Sequence, residues 1–173
     1  MLSNSQHLHI HKNALLKPIA LIIFAIACMI HSSQVHAKGN YHVEVIVFKQ
    51  LGSNPGERSP EFKNLPSFSS TWQSKNVYLN SIAARMRNSG KYQILTHTAW
   101  GQKSASYNRS AAKRLSIAGL NGFIKVFATQ LLFTDVKLNF EGHSVSERRR
   151  LKLNEVHYFD NEGFGVLIRV SRG

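Results

Sequence analysis

The segment YHVEVIVFK, Tyr41 to Lys49, places Val43, Val45 and Val47 on one face and His42, Glu44, Ile46 and Phe48 on the other. Such alternation predicts a first strand, and its β-branched content suits a central position in a sheet. The stretch at about 50–76 then holds three of the chain's four prolines together with many Ser and Asn, and reads as a long Pro/Ser-rich loop. In NVYLNSIAARMRNSG, the residues Leu79, Ile82, Ala83 and Met86 recur at the spacing of one helix face. Asn76 is the expected cap, Gly90 the expected stop, and Arg85 and Arg87 suit the negative C-terminal pole.

Beyond Gly90, KYQILTHTAW predicts a second strand with Tyr92, Ile94 and Thr96 facing away from Gln93, Leu95 and His97. Lys113 to Ile117 suits a short strand, followed by a turn at AGLNG. From Phe123 to Phe140 no Gly or Pro reverses the chain, which favours one long bent strand over a hairpin. Arg149 to Phe159 is expected as a further strand, Asp160 to Gly163 as a turn, and Phe164 to Val170 as the closing strand of a terminal hairpin. One main amphipathic helix and about six strands predict a single α+β domain, with a mixed or antiparallel sheet covered on one face by the helix.

The N-terminal pattern is of another kind. Lys12 and Lys17 precede the apolar run Ile19 to Ile30, which is shorter than the roughly twenty residues of a membrane span. Val35-His36-Ala37 then offers a peptidase site, so residues 1–37 read as a signal peptide and residues 38–173 as one exported, periplasmic domain. Cys28 in AIAC gives the alternative of a lipoprotein acylated at that residue.

Charge narrows the class of partner. Two of the 22 Lys and Arg lie in the leader and all nine Asp and Glu lie after it, leaving +11 beyond residue 37. An excess of that size seeks an anionic neighbour. Export excludes nucleic acid as the default and leaves acidic lipid surfaces and cell-wall polymers with their carboxylate-bearing peptides. The charges look scattered along the chain, with Arg148, Arg149 and Arg150 the one run.

Candidate chemistry is sparse. Glu155 and His157 would share a face of the expected strand with Asp160 at its end, but no metal-ligand signature such as HExxH accompanies them, so neither a metal site nor a catalytic set is assigned. The chain has no GxSxG motif, and no cysteine after the leader, so no cofactor and no enzymatic activity are expected. The arginines 148 to 150 either fork onto ligand carboxylates or guard a sheet edge. Trp72, Trp100 and Tyr158 could stack on sugars or pack inside, and His97 lies close to Trp100 in LTHTAWGQ.

Three ordered segments resemble the CsiV-type family of exported cell-shape proteins of Gram-negative bacteria. They are YHVEVIVF; the pattern carried by Tyr92, Leu95, His97, Ala99, Trp100 and Gln102; and the pattern carried by Arg148, Arg149, Glu155, His157, Tyr158, Asp160, Phe164, Gly165, Val166 and Leu167. Asn161-Glu162 departs from the His-Pro of the family pattern, and the chain is short for the family. The resemblance implies a periplasmic, non-enzymatic protein that binds peptidoglycan and supports cell-wall synthesis, with an outer-membrane lipoprotein activator of a penicillin-binding synthase as a partner. The expected contacts are Arg148, Arg149, Arg150 and Trp100, with His97, Glu155, His157 and Tyr158 as motif residues of binding or structural role. An envelope protein–protein adaptor and a cell-wall hydrolase are the alternative readings.

Overall fold

The structure, a computed structural model, describes residues 39–52, 62 and 71–173. The expected signal peptide, with Cys28, and most of the Pro/Ser-rich loop lie outside the described residues. Among the described residues, nine strands and one α-helix follow in order: β1 (Asn40–Gln50), β2 (Trp72–Gln73), α1 (Asn80–Asn88), β3 (Tyr92–Lys103), β4 (Ala112–Ile117), β5 (Leu120–Ala128), β6 (Leu132–Phe140), β7 (His143–Leu151), β8 (Val156–Asn161) and β9 (Phe164–Arg172).

They form two sheets rather than the expected one of about six strands. The first has the order β2-β3-β1-β9-β8 and the second β4-β5-β6-β7, and every pairing is antiparallel. The reason lies in β1, which is apolar on both faces. Val43, Val45 and Val47 join Trp100, Ile124, Val126 and Val136 in a core between the sheets. Ile46 and Phe48, on the opposite face, pack with Leu79, Ala83 and Met86 of the helical segment. A single sheet under one helix would leave the valine face in water, at a cost of roughly 1.5–3 kcal/mol per large side chain. The second sheet covers it.

Three further expectations change. The 123–140 stretch is the hairpin β5–β6, joined by residues 129–131. None of the three has a positive φ, so the reversal needs no glycine and leaves no mark in the sequence. The expected strand Arg149–Phe159 is broken at Asn154, with φ +65°, and its halves belong to different sheets, β7 to the second and β8 to the first. The terminal hairpin β8–β9 forms as the DNEG signal predicts.

The third change is one of phase. The β1–β3 register slips between Val47 and Phe48, whose partners are Thr96 and Ile94. The extra residue in β3 reverses the alternation after Ile94. Tyr92 and Ile94 pack under the helix, yet His97 also reaches that face, while Trp100 turns into the core between the sheets.

Candidate functional site

Glu44 sits mid-strand in β1 and is fully buried, which for a carboxylate requires partners. It has four. Oε2 accepts from the backbone N–H of Val77 at 3.2 Å and Tyr78 at 2.8 Å; Oε1 accepts from Leu79 N–H at 3.1 Å and lies 2.8 Å from His97 Nε2. These N–H groups belong to the segment 77–79 that leads into α1, and its N-cap residue Leu79 has no capping side chain. Glu44 thus anchors the entry to α1 from across the sheet, and Asn76, the expected cap, instead donates to the His97 carbonyl at 2.9 Å. Burial pushes the Glu44 carboxyl up, but the bonds from His97 and from the Tyr78, Leu79 and Val77 amides outweigh it and hold the group below its ordinary value.

His42 stands beside this clamp. Its Nδ1 is 2.8 Å from Ser74 Oγ, while its Nε2 is 3.8 Å from Glu44 Oε2, beyond hydrogen-bond reach. A serine, a histidine and a glutamate thus come together, but Glu44 is already occupied by the helix and His97, which suits it to holding α1 in place rather than to orienting a base. Beside them a cleft of about 300 Å³ is lined by residues including Ser74, Lys75, Asn76 and His97. Among the described residues no group of three His, Cys, Asp or Glu could hold a metal ion.

The residues singled out in the sequence separate in space. Trp100 is fully buried. Its Nε1 donates to Gln102 Oε1 at 2.9 Å, and Gln102 Nε2 donates to the Val126 carbonyl of the second sheet at 2.7 Å. The indole therefore presents no face to a sugar, which corrects its expected contact role. Glu155 lies in the connection before β8, not on a strand with His157, and pairs with Lys152 at 3.5 Å. His157 Nε2 accepts from the Lys152 N–H at 3.0 Å and so closes the crossing from β7 to β8. Tyr158 is half exposed and stacks on Phe48; a Cβ at Gly165 would come within 2.5 Å of Phe48 and 2.8 Å of Tyr158, so this packing needs glycine there.

The three arginines divide by strand alternation. Arg149 points between the sheets: it donates to the Tyr158 carbonyl, lies over the Phe159 ring at 3.9 Å and pairs with Glu147 at 3.3 Å. It joins the edge of one sheet to the edge of the other. Arg148 and Arg150 take the opposite face, turned away from the first sheet.

That outer face is where charge gathers. Lys125, Asp135 and Arg148 are direct cross-strand neighbours, Arg114 and Lys137 flank Phe123, and Arg150 faces Phe133. Asp135 is the one acid contributed to this face by the four strands. Arg148 Nη2 donates to Asp135 Oδ2 at 2.7 Å, Tyr107 O–H donates to the same oxygen at 3.0 Å, and the Arg148 and Lys125 charges lie 4.3 and 4.4 Å from the Tyr107 ring centre. Hydrogen bonding to Asp135 raises the Arg148 pKa, burial lowers that of Lys125, and burial raises that of Tyr107. Phe127 and Phe133 stack at 5.5 Å beside them. Lys125, Asp135, Phe123 and Phe127 are buried, so the part open to a ligand is Arg114, Arg148 and Arg150 with the half-buried Lys137, Tyr107 and Phe133, a basic rim that suits an extended anionic chain. Sequence reading missed it because cross-strand register, not proximity along the chain, assembles it.

Comparison with protein-family models, with curated proteins and with solved structures gives no match to this chain.

Proposed function

We propose that the protein is a non-enzymatic binding module of the bacterial periplasm, exported by a cleaved leader, that holds peptidoglycan and supports cell-wall synthesis. The observation that carries this reading is the outer face of the second sheet. Arg114, Lys137, Arg148 and Arg150 share it with a single acid; Arg114, Arg148 and Arg150 are exposed and Lys137 is half-buried, while Lys125 lies buried beneath them. The wall's peptide stems carry carboxylates in a repeating array, which several adjacent cations engage together, each weakly. The resemblance to CsiV-type cell-shape proteins supports the same reading and adds an outer-membrane lipoprotein activator of a penicillin-binding synthase as a protein partner.

Incubation of purified protein with isolated sacculi, followed by sedimentation, tests it. The expected result is co-sedimentation at low salt without release of soluble muropeptides. Protein left wholly in the supernatant overturns wall binding, and released muropeptides overturn the non-enzymatic reading in favour of a hydrolase.

A further inference from the structure

A second polar cluster lies on the helix-covered side of the first sheet, outside the basic face. Three polar atoms buried there have no hydrogen-bond partner: His42 Nε2, Arg169 Nη1 and Ser171 Oγ. Register brings them together, since His42 is paired with Ser171 across β1–β9 and Arg169 lies two residues along on the same face. Buried polar atoms are satisfied in the great majority of cases, so three orphans in one patch mark a place where a ligand belongs. His42 is 9% exposed and Ser171 3%.

Two aromatic side chains flank the patch. Tyr78 meets the His42 ring edge-on at 5.6 Å and carries the Arg169 guanidinium 3.7 Å from its ring centre. Trp72 lies across Gly101, the β3 partner of His42, where a Cβ would fall 1.9 Å from the indole nitrogen. Trp72 and Tyr78 are 45% and 46% exposed, so the aromatic rim of the patch is open to solvent while the three polar atoms lie beneath it.

Charge selects the ligand. Arg169 donates through Nη2 to the neutral Asn154 Oδ1 at 3.4 Å and has no carboxylate within ion-pair distance among the described residues. A half-buried guanidinium with a spare Nη1 lacks its counter-ion. Glu44, its cross-strand neighbour, is turned to the helix and already matched by three amides and His97. We propose that His42, Arg169 and Ser171 form a seat for a single carboxylate carried on a small frame that lies against Trp72 and Tyr78. The guanidinium and the seryl hydroxyl donate to the carboxylate oxygens, and His42 Nε2–H donates in the tautomer in which Ser74 O–H donates to Nδ1.

The site is independent of wall binding by the second sheet. N-acetyl-D-alanine and glucuronate serve as probes, with N-acetyl-D-alaninamide and glucose as their neutral twins, in an NMR titration that follows the His42 ring signals of the purified protein. Saturable shifts with one or both acids, and none with the neutral twins, are expected. The acid that binds distinguishes a peptide-borne carboxylate from a sugar-borne one. Arg169→Met should weaken binding at least about tenfold, and Ser171→Ala, which removes one hydroxyl, should weaken it less. Circular dichroism confirms that each variant is folded. No saturable shift with either acid, equal binding of the neutral twins, or unchanged affinity in folded Arg169→Met overturns the proposal.

Discussion

Glu44 Oε1 and His97 Nε2 lie 2.8 Å apart although 53 residues separate them in the chain. The slip in the β1–β3 register brings His97 to that face, and the same carboxylate anchors the segment entering α1 through three amides. Glu44 and His97 belong to the first two of the motifs that carry the resemblance, and here they meet in a structural clamp. Glu44→Ala leaves those amides and His97 without their acceptor, and should destabilise the protein by about 3 kcal/mol. Glu44→Gln should cost less, about 1–3 kcal/mol, because one amide oxygen still accepts. Urea denaturation followed by circular dichroism measures both.

The same clamp sets a pH dependence. The folded Glu44 carboxyl is held below its ordinary value of 4.5, so its contribution is fully present above that value and is lost as pH falls through the lower folded one. Unfolding free energies of the wild type and of Glu44→Gln should therefore differ most at about pH 7 and converge towards about pH 3. A constant gap across that range would show that the carboxylate charge is not what holds the helix.

The two tryptophans should be separable by emission. Trp72→Phe leaves only Trp100, fully buried, and should give a blue-shifted spectrum that resists acrylamide quenching. Trp100→Phe leaves the exposed Trp72, should quench readily, and should cost about 1–3 kcal/mol because Gln102 loses a donor and the core loses volume.

Much of this fold is legible in local sequence. The valine alternation marks β1, the Leu79–Met86 spacing marks α1, and DNEG marks the β8–β9 hairpin. The β5–β6 turn is silent because residues 129–131 use ordinary backbone angles, whereas Asn154 breaks the expected 149–159 strand from within an otherwise uninterrupted stretch. The site is less legible. A mid-strand Glu44 between valines signals a charge that burial would force to find partners, but nothing nearby says that those partners are residues 77–79 and His97. The basic face depends on the pairing of β4 to β7, and one-residue alternation splits a run of three arginines between two roles.

That split gives a prediction of its own. Arg149→Met removes a contact joining the two sheets and should lower stability by about 1–3 kcal/mol while leaving wall binding unchanged, because Arg149 faces inward. Arg148→Gln with Arg150→Gln should lower wall binding and also stability, because the buried Asp135 loses its ion-pair partner. Thermal unfolding and sacculus sedimentation, run on the same preparations, separate the two effects.

Sacculus binding across a salt series, compared between the wild type and the Arg148→Gln, Arg150→Gln double variant, tests most directly that the outer face of the second sheet holds the wall. Wild-type binding should weaken steadily as salt screens the contact, and the double variant should bind less at low salt with a shallower salt dependence. Equal binding and equal salt dependence in the two proteins would contradict the account.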